Sequence, residues 1–182
     1  TGLSLPTFLI DKSKKITPEQ EENILRIIER LKQYEPLQYI LSETEFYGMK
    51  FTVDKNVLIP RPETEELVEL ILTENINRPS PSILDIWTGN GAIAISLKKY
   101  LPNSYVEAWD ISAKALKVAS DNAKSNGTDV LFKEVDVLND YPRNKSFDII
   151  VSNPPYVLES EKASIENNVL NYEPHLALFV PD

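Results

Sequence analysis

Apolar residues recur with helical spacing between residues 17 and 33, near the start of the chain. Thr17 can cap this helix and Pro18 can occupy its first turn. The segment Glu45–Val53 follows and is typical of a β-hairpin that turns at Gly48. The pattern therefore predicts a helix and then a hairpin ahead of the main body of the chain.

The rest of the chain alternates short apolar runs with helical patterns. One helix is predicted to start at Pro62 or Thr64, a second near Gly91, and a third between Ser112 and Gly127. The predicted strands are residues 83–86, 105–110, 130–132 and 147–151. Strands that alternate with helices through short loops predict an α/β fold, with a mostly parallel sheet and helices on both faces.

Composition narrows the classes of function. Hydrophobic residues make up 42% of the 182 positions, which is enough for a core, and the apolar runs are too short to span a membrane. The chain has no Cys and a single His, His175, so no metal site is expected. The net charge of −9 argues against a broad phosphate-binding face.

Glycines and acidic residues follow the first three predicted strands. In parallel sheets, ligands bind at the carboxyl ends of the strands, where the strand order reverses. The loop at residues 85–91 is glycine-rich and can approach a ligand closely, and the helix behind it favours a carboxylate. Asp110 can accept hydrogen bonds from both hydroxyls of a ribose, or serve the start of the next helix. Asp136 can reach an adenine amino group, or is a surface acid.

The most specific chemical signal follows the last predicted strand, at Asn153, Pro154, Pro155 and Tyr156. Consecutive prolines cannot continue a strand, and they fix the backbone just past its end. Asn153 offers a carbonyl acceptor and an NH2 donor, Pro154 offers a carbonyl without a competing N–H, and Tyr156 can stack on a flat group. This set suits a planar amide or amino nitrogen that attacks an electrophile, and the alternative is a proline-rich turn.

Several segments together resemble the HemK-type protein-(glutamine-N5) methyltransferases, which modify the glutamine of the GGQ loop in peptide chain release factors. The matching segments are residues 36–41, 46–48, 57–65, 85–91, 110–112, 153–156 and 173–179. The segment 57–65, with the sequence VLIPRPETE, is more discriminating than the Asn-Pro-Pro-Tyr motif, which DNA adenine-N6 methyltransferases share. The expected function is therefore N5-methylation of that glutamine.

The resemblance implies a Rossmann-like class I fold that binds S-adenosylmethionine and releases S-adenosylhomocysteine. Asp110 would hold the ribose, Asp136 and Val137 the adenine, and Asn153 would also contact the cofactor. The glycine loop would hold the methionine part through Asp85, Trp87, Thr88, Gly89, Asn90 and Gly91.

The resemblance also assigns the substrate side of the site. Asn153 and Pro154 would grip the substrate amide as catalytic groups, and Tyr156 would pack on it. Pro155 and Arg61 would complete the substrate contacts. A release factor would be the partner, neither a membrane nor a nucleic acid is expected as a direct target, and the expected location is the cytoplasm, with the mitochondrion as the alternative.

The resemblance divides the chain into three parts. Residues 1–42 correspond to a remnant of an N-terminal helical domain that recognises the substrate, residues 43–60 to a hairpin linker, and residues 61–182 to the methyltransferase domain. The family fold has seven strands and about four are predicted here, so its C-terminal strands are not expected in this sequence.

Trp87 departs from the family, which has Gly at this position. A side chain there would project toward the cofactor, so the hypothesis is that Trp87 weakens or blocks cofactor binding, unless a local shift accommodates the indole. Two other functions remain open. One is a DNA adenine-N6 or small-molecule amino methyltransferase, and the other is an inactive fragment with impaired cofactor binding.

Overall fold

The computed structural model describes residues 16–142 and 144–182, so the first fifteen residues of the expected helical segment 1–42 lie outside the described part. Helix α1 (Pro18–Lys32) begins with the predicted cap. The Thr17 hydroxyl accepts from the Gln20 N–H at 3.2 Å, and the Gln20 side chain accepts from the Thr17 N–H at 3.0 Å. A short helix α2 (Leu37–Leu41) follows.

The predicted hairpin is confirmed as strands β1 (Glu43–Phe46) and β2 (Met49–Thr52). Its turn residues, Tyr47 and Gly48, have φ angles of +48° and +71°, the left-handed pair that a tight two-residue hairpin requires. The side chain of Asn122 accepts from the N–H of Thr52 at 2.7 Å and donates to its carbonyl at 3.0 Å. These two bonds fix the end of the hairpin to the body of the protein.

The body of the protein is a four-stranded parallel sheet in the order β5-β4-β3-β6. Its strands are β3 (Ser82–Ile86), β4 (Tyr105–Asp110), β5 (Leu131–Glu134) and β6 (Ile149–Ser152). The chain builds outward from β3 to β5 and then crosses to the other side of β3. The strand order therefore reverses between β3 and β6, and the carboxyl ends of these strands are where a ligand is expected.

Three helices cover one face of the sheet: α3 (Pro62–Asn75), α4 (Ala92–Tyr100) and α5 (Ala113–Asn126). Pro62 opens α3 and Gly127 ends α5 in the left-handed conformation, as predicted. The core between this layer and the sheet contains Val68, Ile83, Ile95, Leu97, Val106 and Val151.

The predicted α/β class and parallel sheet are confirmed, but the expected second helical layer is not present among the described residues. The described residues of the connection from β5 to β6, 135–142 and 144–148, contain no helix, and Ile150 on the opposite face is 63% exposed.

A buried carboxylate lies on that opposite face. Glu107 is fully buried and accepts hydrogen bonds from four side chains: Tyr105, Trp109, Lys133 and Lys145. Burial opposes its ionisation, yet these bonds together lower the pKa of Glu107 to about 2. Trp109 is a core residue that packs edge-to-face on Phe147.

The C-terminal segment forms elements that the sequence pattern did not predict. They are β7 (Val157–Leu158), a 3₁₀ turn (Glu159–Ser164), α6 (Asn167–Tyr172), a second 3₁₀ turn (His175–Ala177) and β8 (Phe179–Val180). Strands β7 and β8 pair in parallel. None of the helices in the described ranges has the length and apolar character needed to cross a membrane.

Candidate functional site

A cavity of about 550 Å³ opens at the carboxyl ends of β3, β4 and β6. Its volume lies within the range of roughly 300–1,000 Å³ typical of small-molecule sites. Eleven residues that the sequence assigned to the site line it: Arg61, Trp87, Thr88, Gly89, Asn90, Asp110, Asp136, Val137, Asn153, Pro154 and Pro155. The fold thus brings together groups from five separate parts of the chain.

The glycine loop crosses the base of this cavity in an unusual backbone conformation. Trp87, Gly89 and Gly91 all have positive φ angles, at +58°, +57° and +82°. A Cβ placed on Gly89 meets no atom within 4 Å, whereas one on Gly91 lies 2.8 Å from Ile95 Cδ1. Gly89 therefore leaves open space, whereas a side chain at Gly91 would crowd Ile95 and Ala119. The positive φ of Trp87 is disfavoured for a bulky residue, so the backbone here retains a conformation suited to Gly.

Asp85 lies beneath the loop and does not line the cavity, in contrast to its predicted place among the cofactor contacts. Its Oδ2 accepts from the Thr88 hydroxyl at 2.6 Å and from the Ala94 N–H at 3.2 Å. Its Oδ1 has no hydrogen-bond partner among the described residues. Burial raises the pKa of Asp85 to about 7. Asp85 therefore supports the loop from below. Gly91, another predicted cofactor contact in this loop, also lies outside the cavity wall.

Asp110 links the loop to the end of β4. Its Oδ2 accepts from the Gly89 N–H and its Oδ1 from the Ser112 N–H, both at 2.9 Å. Ser112 itself caps α5 through the Ala115 N–H, so Asp110 is not the cap residue. Burial raises the pKa of Asp110. Asp110 borders the cavity, where its carboxylate can accept a further hydrogen bond from a ligand.

Asp136 and Val137 follow β5 and form another part of the wall. The carboxylate of Asp136 accepts from the Leu138 N–H at 3.1 Å and from Asn139 Nδ2 at 2.8 Å. The bond from Asn139 holds the pKa of Asp136 below its ordinary value. This turn places the carboxylate and the apolar Val137 side by side at the cavity.

Asn153, Pro154 and Pro155 line the cavity on the side of β6. Asn153 Nδ2 donates to the Thr64 hydroxyl at 3.3 Å. Tyr156 is 77% exposed and does not line the cavity, so the predicted stacking residue lies outside the wall. The amide and the two proline rings therefore face the same space as the loop and Asp110.

Two family models match the chain, and the larger match covers more than half of it. Residues 64–174 match the model of the methyltransferase small domain, and residues 1–41 match that of the PrmC N-terminal domain. The chain belongs to the methyltransferase small domain family.

Proteins named release factor glutamine methyltransferase are similar to this family member over most of its length. The protein of Flavobacterium psychrophilum is 56% identical and that of Bacteroides thetaiotaomicron 52%, over 86% and 90% of the chain. The Streptococcus pneumoniae protein is 45% identical over the whole chain. The chain spans 56%, 58% and 64% of the length of these three relatives, respectively.

Solved methyltransferase structures share the fold. The hMettl16 catalytic domain, solved with the MAT2A 3'UTR hairpin 6, is 18% identical with a TM-score of 0.59 and covers 82% of this chain and 59% of its own. The T. Thermophilus 16S rRNA methyltransferase RsmC, solved with AdoMet and guanosine, is 17% identical with a TM-score of 0.53 and covers 72% of this chain and 38% of its own. These likenesses confirm the predicted Rossmann-like methyltransferase fold.

Two residues at the site were not predicted from the sequence. Thr64 borders the cavity and contacts Asn153, although it was not among the residues assigned to the site. Glu173 holds Arg61, which was expected to face the substrate. Both residues lie in segments that carried the family resemblance, 57–65 and 173–179, and that was the available signal.

Proposed function

We propose that this chain carries the cofactor and substrate-amide sites of an S-adenosylmethionine-dependent protein-(glutamine-N5) methyltransferase. The proposed substrate is the GGQ glutamine of a peptide chain release factor, as the names of the relatives suggest. The observation that carries the proposal is that Asp110 and Asn153, the acceptors for the two reactants, line one cavity. We extend the proposal to the division of the chain at residues 1–42, 43–60 and 61–182, and to a cytoplasmic location.

Apart from Trp87, the residues of the cavity fit the cofactor. The Asp110 carboxylate suits the hydroxyls of a ribose, and the Asp136 carboxylate beside Val137 suits an adenine. The open space at Gly89 leaves room for the methionine part. When bound, S-adenosylmethionine supplies an electrophilic methyl group.

The substrate amide needs only hydrogen-bond acceptors from the protein. An amide nitrogen is a poor nucleophile, so the protein contributes mainly orientation. The Asn153 and Pro154 carbonyl oxygens would accept the two hydrogens of the substrate NH2 group and keep its lone pair free. The same oxygens stabilise the positive charge that develops on the nitrogen during transfer.

Trp87 opposes cofactor binding in this proposal. Trp87 lines the cavity with Gly89, and its backbone has the left-handed conformation of a Gly. We therefore propose that the indole reduces the space for the methionine part and lowers the affinity. A local shift of the ring that restores full affinity would contradict this.

The experiment is a methyl-transfer assay with S-adenosylmethionine labelled on the methyl group. The chain is incubated with a purified release factor or with duplex DNA, and tandem mass spectrometry locates the label. The expected result is label on the GGQ glutamine, lost in Asn153→Ala. Label on adenine would favour the DNA alternative, and no label with either acceptor would favour the inactive fragment.

A further inference from the structure

The start of α3 meets the end of β6 at the rim of the cavity, although these elements are far apart in sequence. Thr64 is the third residue of α3 and Asn153 follows β6, 89 positions later. Their side chains are joined by a hydrogen bond of 3.3 Å from Asn153 Nδ2 to Thr64 Oγ1. Both residues line the cavity.

The Thr64 hydroxyl does not cap the helix, because in the described part of the chain it makes no hydrogen bond to the first turn of α3. The main-chain N–H of Thr64 is already satisfied by the Arg61 carbonyl at 3.0 Å. Arg61 is the cap residue of α3, and no side-chain cap bond is present there. The contact with Asn153 is therefore the hydrogen bond that the structure gives to this hydroxyl.

An asparagine side chain has one carbonyl acceptor and one NH2 donor group at opposite corners of a plane. A rotation of the plane by half a turn would present the NH2 group where the carbonyl is needed. A donor facing the NH2 group of the substrate would repel it instead of accepting its hydrogen. The substrate site therefore depends on which way the Asn153 amide is held.

We propose that Thr64 is a positioning residue: its hydroxyl restrains the Asn153 side chain in the orientation that the structure shows, with Nδ2 toward the helix and Oδ1 left to accept from the substrate NH2 group. This inference rests on the proposed function for the identity of the substrate group. The restraint on the amide itself belongs to the free protein and can be measured without cofactor or substrate.

The first test follows the Asn153 side-chain NH2 resonances by NMR, with Asn153→Asp used to assign them. We expect an ordered group in the unmodified chain and in Thr64→Ser, and a mobile group with a shifted resonance in Thr64→Val. Thr64→Ala replaces Thr64→Val if that variant does not fold. Thr73→Val, on the exposed side of the same helix, is the matched control and is expected to change nothing at Asn153. An equally ordered Asn153 amide in Thr64→Val or Thr64→Ala overturns the proposal.

The second test separates positioning from folding and binding through the kinetics of methyl transfer. Thr64→Val should lower kcat by about tenfold, which corresponds to one lost hydrogen bond, with the KM for S-adenosylmethionine unchanged. Thr64→Ser should recover kcat to within about twofold of the unmodified chain, since it keeps the hydroxyl. An unchanged kcat in Thr64→Val overturns the role in positioning. If none of the chains transfers a methyl group to a release factor, the proposed function fails while the NMR test still decides the restraint.

Discussion

The carboxylate of Glu173 accepts hydrogen bonds from the Arg61 guanidinium at 2.6 Å and from the Ile59 N–H at 3.2 Å. The pair joins the loop before α3 to the C-terminal segment, 112 residues later. The Glu173 side chain is 2% exposed and that of Arg61 34% exposed. Arg61 therefore lines the cavity while its charge is directed to Glu173, and its predicted contact with substrate remains a proposal.

We predict that Glu173→Gln lowers the free energy of unfolding by about 2–3 kcal/mol, because it weakens two bonds to a buried charge at once. Urea unfolding followed by circular dichroism measures this. Glu166→Gln, at an exposed acid nearby, is the control and should change stability by less than about 0.5 kcal/mol. Equal losses in the free energy of unfolding in the two variants would show that the ion pair of Glu173 with Arg61 contributes little to stability.

We predict that Gly91→Ala is more damaging than Gly127→Ala, although both glycines have positive φ angles. The left-handed backbone alone should cost about 1 kcal/mol in either variant. At Gly91 the new methyl group would also lie 2.8 Å from Ile95 Cδ1 and 3.2 Å from Ala119 Cβ, whereas at Gly127 it meets nothing within 4 Å. The Gly91 variant should therefore lose a further 1–3 kcal/mol or so through overpacking. Thermal unfolding of the two variants compares them, and equal losses would contradict the close packing of α4.

The raised pKa of Asp85 predicts a pH dependence of stability. Its value in the folded chain is about 7, against 3.8 for an ordinary aspartate, so the folded state binds more protons than the unfolded state between these values. The stability that Asp85 contributes is therefore fully present below about pH 3.8 and is lost as the pH rises through about 7.

Asp85→Asn tests this dependence, because an amide keeps an acceptor for Thr88 and Ala94 but cannot ionise. Relative to the unmodified chain, the variant should gain stability between about pH 5 and pH 8, measured by urea unfolding at both values. Asp148→Asn is the control: hydrogen bonds from Ser82 lower the pKa of Asp148, so its effect should stay constant over this range. A constant difference for Asp85→Asn as well would mean that Asp85 is ionised throughout.

Features that depend only on neighbouring residues in the chain could be predicted from the sequence. The cap at Thr17, the turn at Gly48 and the helix end at Gly127 are local, and all three were predicted correctly. The meeting of Asp110 and Asn153 was also predictable, because parallel strands align their carboxyl ends at one edge of the sheet.

Features that depend on tertiary packing were not predictable in this way. The pairing of Thr64 with Asn153 joins positions 89 residues apart, and nothing local to either residue indicates it. Asp85 looked like a ligand contact because it opens the glycine loop, but the alternation of the strand turns its side chain into the core. Tyr156 was expected to stack on the substrate, yet the turn leaves it exposed.

Trp87→Gly should tighten the binding of S-adenosylmethionine by about tenfold or more, because it removes the indole from the cavity wall and relieves the left-handed backbone. Isothermal titration calorimetry measures the Kd. Trp87→Phe keeps a bulky ring in the same backbone conformation and should bind no better than the unmodified chain. Tight binding by the unmodified chain, with no gain in Trp87→Gly, would show that the site accommodates the indole.

Mass-spectrometric location of the transferred methyl group decides whether the chain methylates a release factor. The unmodified chain and Trp87→Gly are each incubated with S-adenosylmethionine and a purified release factor. The matched control is a double variant that carries both Trp87→Gly and Asn153→Ala. The account predicts one methyl group on the GGQ glutamine, added faster by Trp87→Gly and absent with the control. A release factor left unmethylated by both the chain and Trp87→Gly, or methylated equally by the Asn153 variant, would contradict it.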